Sequence, residues 1–309
     1  MNTHKPQGAA LILAIMVVAL ASTVAVFMAA QQSLWSQQAG NLASRAQTNA
    51  LSHAAIEWSR GVLAEDARTS SADHLGEPWA SRLAVLPIET ATLSGAIEDQ
   101  QARFNLNNLI HNGSDSASDI ALFKRLLSQL NLPQDLLNPL LDWLDTDDSL
   151  RSPGGAEDAF YLLADPPYRC ANQALLTVDE LYRVRGFNRT VIDRLKPFVT
   201  ALPQRSTINV NTAPREILMA LLPDFSETDI STVLENRKSA FFKDKQDFRA
   251  RLPQAALNLN DEAYDVASHY FSVAVSTRTN RAASSYQALL ARPTTGGWPR
   301  LVWQRELTE

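Results

Sequence analysis

The chain has a single cysteine, Cys170, in 309 residues. No internal disulfide can form, so stability does not rest on oxidation, and a chain of this length can build a core without it. It also lacks an excess of positive charge. Twenty-eight Lys and Arg against 33 Asp and Glu leave a net charge of −5 and a pI near 5.6. Bulk charge therefore recruits no nucleic acid. Catalytic signatures are missing as well. His4, His53, His74, His111 and His269 are scattered, and there is no H-E-x-x-H, G-x-S-x-G, P-loop or G-x-G-x-x-G. Cys170 lies between Arg169 and Ala171 with no histidine nearby, which fits a buried or incidental thiol better than a nucleophile. Acidic pairs are common, so a glycosidase pair stays open in principle, but the chain reads as a non-enzyme. Eleven Gly and fifteen Pro are ordinary numbers and exclude a fibrous or disordered class. Long apolar runs are absent too, with one exception.

The exception follows a short polar leader, Met1 to Gln7, that ends in Gly8. The 22 residues from Ala9 to Ala30 carry no charge. As a helix they span roughly 33 Å, enough for a bilayer core. Three readings compete: a cleaved secretory signal, a plain membrane anchor, and a prepilin-type signal whose helix stays in the mature protein. The leader is barely basic, the run exceeds a typical signal core, and no clear A-x-A site ends it, which disfavours the first. His4 and Lys5 precede the run, and the next basic residue is Arg45. That bias puts the N-terminus in the cytoplasm and the bulk of the chain outside, in the periplasm of a bacterium.

Helical spacing continues past the apolar run. Gln31 to Glu65 lacks Pro, and Leu34, Trp35, Leu42, Ala46, Ala50, Ala54, Trp58 and Val62 recur at near-helical intervals. A helix from Ala9 to Ala64 would be roughly 84 Å long. Its outer stripe calls for a partner, most simply a sheet of the same chain. Pro78 to Leu106 reads as strands, Asn105 to Asp119 as a connecting loop, and Ile120 to about Pro253 as short helices. The helical segments expected there are Ile120–Leu130, Pro133–Leu144, Val178–Val184, Arg189–Leu202, Pro214–Leu221, Glu227–Asn236 and Lys245–Arg251. Strand patterns return after Ala256, at His269 to Thr279, Ser284 to Arg292 and Leu301 to Glu306. Strand material flanking a helical block predicts an α+β fold with an all-α insertion, packed on the long helix.

The densest acidic stretch runs from Asp142 through Asp145, Asp147 and Asp148 to Glu157 and Asp158, around the turn Pro153-Gly154-Gly155. Several carboxylates in a loop suit Ca²⁺, which takes six to eight oxygens in a flexible geometry. The spacing is not that of an EF-hand: with Asp145 as position one, Leu150 stands where Gly belongs and Ala156 where Glu belongs. A solvated acidic turn with helix-capping Asp is the plainer alternative.

These motifs carry a resemblance. Gly8 followed directly by an uncharged helix resembles the type IV pilin and pseudopilin family. The blocks Asp142 to Asp147, Gly154 to Tyr161, Pro166 to Asn172 and Val178 to Phe187 resemble the large minor pseudopilin K (GspK) family of type II secretion. The resemblance implies a type IV pilin-like fold: a long N-terminal helix packed on an antiparallel sheet, with a large all-α insertion. It implies a leader at 1–8, a transmembrane part at 9–30, a periplasmic helix at 31–65, a pilin-like α+β domain at 66–106 and 256–309, and the insertion at 107–255. It implies Ca²⁺ in the helical domain, with Asp142, Asp145, Asp147, Glu157 and Asp158 as the pool of ligands. A prepilin peptidase would cut between Gly8 and Ala9, and the other partners would be minor pseudopilins of the I, J and H types, the pseudopilus and the inner membrane. Most pilin relatives carry Glu five residues after the cut, whereas here that residue is Leu13. The lack of that charge is a mark of the K subunit and implies a place at the tip, where assembly begins.

A second motif points elsewhere. Ile208 to Pro223, Ile230 to Arg237 and Phe242 to Phe248 resemble helix-hairpin-helix modules, and a weaker copy falls at Thr177 to Leu195. This gives the alternative of a membrane-anchored DNA-binding or uptake protein. DNA-binding hairpins use glycine so that backbone N–H groups approach phosphate. Here the hairpin is Pro223-Asp224-Phe225-Ser226. Asp224 has the wrong sign and Phe225 the wrong size, so a structural packing module is expected and no nucleic-acid partner.

Overall fold

The computed structural model describes residues 7–256, 259–294 and 297–307. The leader residues 1–6, with His4 and Lys5, lie outside the described residues. A single helix, α1, runs from Gln7 to Thr69. Residues 9–30 are exposed along their whole length, with Leu13 62% exposed and Phe27 64% exposed. The helix is long and apolar enough to cross a membrane, with a mean hydropathy of 2.8 in its most apolar window.

The outer part of α1 packs on a five-stranded antiparallel sheet in the order β1 Leu83–Ile88, β2 Ala91–Asp99, β3 Tyr270–Thr279, β4 Ala283–Ala291 and β5 Arg300–Glu306. The face of α1 against the sheet differs from the apolar stripe predicted from spacing. Leu34, Trp35, Leu42 and Trp58 are exposed, as are Ala46, Ala50 and Ala54, while Val62 is half-buried. The buried line is Thr48, Ser52, Ile56, Ser59, Leu63 and Asp66. Its steps of three and four residues define one helix face. Half of it is small and polar, which lets the backbone lie close to the strands. Ser52 Oγ shares hydrogen bonds with Thr277 Oγ1 at 2.8 Å and Ser284 Oγ at 3.2 Å, and Ser59 Oγ donates back to Ala55 O at 2.8 Å. Ile56 and Leu63 meet Trp79, Leu93, Phe271, Val273, Val275 and Leu290 in the core between helix and sheet.

The chain leaves the sheet at Asp99 and rejoins it at Tyr270. Between them are α2 Ala117–Gln129, α3 Leu137–Leu144, α4 Asp158–Tyr161, α5 Arg189–Leu195, α6 Arg215–Leu221, α7 Glu227–Ser239 and α8 Lys245–Ala250. Two expected helices are shorter than their patterns: Arg189–Leu202 stops at Leu195 because Val199–Thr200 pairs in parallel with Phe104–Asn105, and Val178–Arg183 is a 3-10 helix. Phe104, expected in a sheet strand, joins Leu106, Tyr264 and Val266 in the core of the helical part.

The insertion projects from one end of the sheet. The β1–β2 turn lies beside α1 toward its apolar N-terminal part, where Gln47 Nε2 donates to Thr90 Oγ1 at 3.3 Å. The β3–β4 turn reaches farther down, since a Cβ at Gly40 would collide with the Arg281 guanidinium. Asp99 and Tyr270 mark the opposite end, near Asp66 of α1, some 28 Å farther along the helix axis at 1.5 Å per residue.

Candidate metal centre in the helical domain

The acidic stretch begins on α3. Asp142 and Asp145 stand three residues apart at its C-terminal end and are buried, at 0% and 3% exposure. Glu157 immediately precedes α4, makes no side-chain capping bond to it, and is 5% exposed. The chain between them doubles back at Gly154, which has φ +82°, and at Gly155, where a Cβ would collide with Asp142 Oδ2 and lie 2.5 Å from Arg151 O. That close approach requires glycine. It lets Asp142 Oδ2 accept from Ala156 N at 2.7 Å and Arg151 N at 3.4 Å.

Arg151 supplies the local cation. Its Nη1 lies 2.5 Å from Asp145 Oδ2 and 3.5 Å from Asp142 Oδ1, and its Nη2 lies 2.6 Å from Asp115 Oδ1. Arg151 and Asp115 were not among the sequence-derived candidates. The signal for Arg151 was its position as the sole cation inside the acidic run.

Four buried oxygens here receive no hydrogen bond: Asp142 Oδ1, Asp145 Oδ1 and both Glu157 oxygens. Asn172 Oδ1 is a fifth, and Asn172 Nδ2 reaches back to Asp148 Oδ1 at 3.0 Å. Buried unpartnered carboxylate oxygens are costly. Burial raises the pKa of Asp142 and of Asp145 and pushes that of Glu157 up to about 7. The donor set is all oxygen, anionic and short of positive charge, and so fits Ca²⁺.

The remaining predicted ligands are placed differently. Asp147 is exposed and accepts from Ser149 N at 2.8 Å, a bond that lowers its pKa. Asp158 is half-buried and accepts from Cys170 N at 2.9 Å. The five predicted ligands are not drawn into a tight trio. Among the described residues, the trio with oxygens within 4.8 Å of one another is Asp66, Asp73 and Glu77, far away in sequence. Cys170 packs its Sγ 3.4 Å from Asp142 O, and burial pushes its thiol up to about 12, so the thiolate is scarce at neutral pH.

The hairpin resembling helix-hairpin-helix modules joins α6 to α7. Phe225 is 8% exposed and packs in the core. Ser226 caps α7 by a reciprocal box with Asp229. Arg237 Nη1 donates to Val210 O at 2.9 Å and Ala213 O at 2.7 Å, and Arg125 Nε donates to Ala220 O at 2.6 Å. These guanidinium groups hold the module together from within.

A long N-terminal helix on an antiparallel sheet, interrupted by a helical block with an acidic loop, defines a pilin-like subunit with an insertion. Family models described as "Type II secretion system (T2SS), protein K" match residues 102–204 and 208–267. The type II secretion system protein K of Pseudomonas aeruginosa is 31% identical over 278 residues, covering 86% of this chain and 83% of that protein. The same protein of Aeromonas hydrophila is 31% identical, over 87% of this chain and 88% of its own. Among solved structures, a chain of the GspK–GspI–GspJ complex from enterotoxigenic Escherichia coli superposes with a TM-score of 0.77 at 25% identity, over 88% of this chain and all of its own. The chain belongs to the type II secretion system protein K family. Its role is that of a minor pseudopilin, a structural component of protein secretion.

Proposed function

We propose that this subunit sits at the tip of a periplasmic pseudopilus and helps initiate its assembly, anchored by one inner-membrane span and braced by calcium in its helical domain. The observation that carries this reading is the position of the insertion. About 170 residues, from Gln100 to His269, leave and rejoin the sheet at the end opposite the apolar part of α1. In a filament built from parallel helices, that bulk occupies the space into which a subunit above would stack.

Leu13 supports the same position. A carboxylate within a membrane span is costly unless paired. A pilin-type Glu satisfies that need by meeting the amino terminus of a neighbouring subunit; Leu13 creates no such need. Leu34, Trp35 and Leu42, exposed within one side of α1, continue the apolar surface outward and suit the helices of other minor pseudopilins. The complex that this chain resembles contains GspI and GspJ, which makes the I and J types the first expected partners, with the H type beside them. Prepilin peptidase would cut between Gly8 and Ala9, and the new amino terminus would be methylated. Asp142, Asp145 and Glu157 would hold calcium, with Asp147 and Asp158 in the same loop as further donors, and the ion would supply the positive charge that the buried oxygens lack.

Amino-terminal sequencing tests the class: the mature protein is expected to begin at Ala9, and an intact Met1 would return a plain anchor to the lead. Leu13→Glu tests the cause of the position. The variant subunit is expected to enter the body of the filament; if it stays at the ends, the missing charge is not what places it there.

A further inference from the structure

We propose a second cation site, separate from the acidic loop, formed by Asp66, Asp73 and Glu77 where α1 meets the sheet and the insertion, and suited to a divalent cation of the Ca²⁺ class. One oxygen from each carboxylate lies within 4.8 Å of the others. Two oxygens bound at about 2.4 Å on opposite sides of one Ca²⁺ stand about 4.8 Å apart, so the trio has the reach of a single coordination sphere.

The hydrogen bonds leave one oxygen of each group for a ligand. Arg292 Nη1 donates to Asp66 Oδ2 at 2.9 Å. Asp73 Oδ2 takes Arg292 Nη2 and, at 2.7 Å, Ser268 N. Glu77 Oε2 accepts from His74 N and Trp79 Nε1, both at 2.8 Å. Asp66 Oδ1 and Glu77 Oε1 receive no hydrogen bond among the described residues, although His74 Nε2 comes to 4.0 Å from Glu77 Oε1. Asp73 is 2% exposed, and its Oδ1 is buried with no donor at all. In a carboxylate otherwise fully engaged, that orphaned oxygen marks a missing partner.

Charge points the same way. Asp99 lies next to the trio and is 5% exposed; its oxygens accept from Gln101 N, Asn209 Nδ2, Thr212 Oγ1 and Ser268 Oγ. Among the described residues Arg292 pairs with Asp66 and Asp73 alone, so four buried carboxylates share one guanidinium that reaches two of them. His269, near Arg292 and Asp73, is held toward its neutral form by burial and by that guanidinium, and its Nδ1 has no partner. A single proton would serve one oxygen, whereas a hard divalent cation would serve all three. The site would join the end of α1 to the loop before β1. Asn209 Nδ2, donating to Asp73 O at 3.1 Å, would extend that link into the insertion.

Tb³⁺ luminescence tests this in the full chain in detergent micelles, stripped of metal. Trp79 is hydrogen-bonded to Glu77 and would sensitise an ion held there; Trp143 adjoins Asp142, so the acidic loop is first silenced by Asp142→Asn/Asp145→Asn. In that background, tryptophan excitation is expected to give saturable Tb³⁺ emission that Ca²⁺ displaces. Glu77→Gln can accept the same two hydrogen bonds and should weaken Tb³⁺ about 10-fold or more, as altering even an outer-shell partner does. Trp79→Phe keeps all three carboxylates, and should abolish the emission while Ca²⁺ binding by calorimetry persists; this arm stands if circular dichroism shows Glu77→Gln to be misfolded. Absence of saturable emission in the silenced background, or emission indifferent to both Glu77→Gln and Trp79→Phe, would overturn the site and leave a proton as the filler.

Discussion

Two clusters of buried carboxylates lie in the helical domain and at the junction beneath it, and they are built differently. The loop from Asp142 to Asp158 is local: its acids come from the end of one helix, the start of the next and the turn between them. Its cation, Arg151, is partly exposed, and several of its oxygens have no donor. The junction around Asp66, Asp73, Glu77 and Asp99 is assembled from α1, a loop, a strand end and the insertion, and its cation Arg292 is 8% exposed. Its backbone and side-chain donors reach across more than 200 residues of sequence. The loop is therefore a local turn closed on itself, while the junction ties the two structural parts together.

That contrast can be broken most forcefully at the arginines. Arg292→Met leaves Asp66 and Asp73 buried without their guanidinium, and should cost about 3–5 kcal/mol in denaturant unfolding. Arg151→Met should cost less and should tighten calcium binding, because a competing cation is removed. Equal losses from the two would erase the distinction. Next is the interface below the junction. Ile56→Ala removes a side chain 1% exposed between α1 and the sheet, and is expected to cost about 2–5 kcal/mol by the same measurement. A near-neutral result would mean that α1 is held chiefly by its serines and the junction. Calcium at 100 times its dissociation constant should add about 2.7 kcal/mol per site, read as a rise in melting temperature that chelator reverses. Asp142→Asn/Asp145→Asn should remove the part of this gain that belongs to the loop. The smallest effect concerns Cys170. Its thiol, held up at about 12, should stay unmodified by iodoacetamide at pH 8 in the native protein and react on unfolding.

How much could be read from sequence follows the same division. The acidic loop was legible because its residues are consecutive and dense, and the long helix because no Pro interrupts it. The order of strands around a helical block was legible from alternation before and after it. The line of α1 on the sheet was not, because Thr48, Ser52 and Ser59 are polar; hydrophobic spacing singled out Ala46, Ala50, Ala54 and Trp58, which face outward. The junction was invisible too. Asp66, Asp73, Glu77, Asp99 and Arg292 have no spacing that joins them, and only the return of β3 and β4 to the end of α1 brings them together. Asn172 lay inside a recognised motif, but its amide oxygen gains meaning only from the loop that folds over it.

The central proposal is that an insertion at the end of a pilin-like fold opposite the apolar part of α1 makes this subunit a cap. Electron microscopy of pseudopili carrying a gold-labelled copy of the full chain tests it directly. The account predicts one label per filament, at an end; labels spaced along the shaft would contradict it.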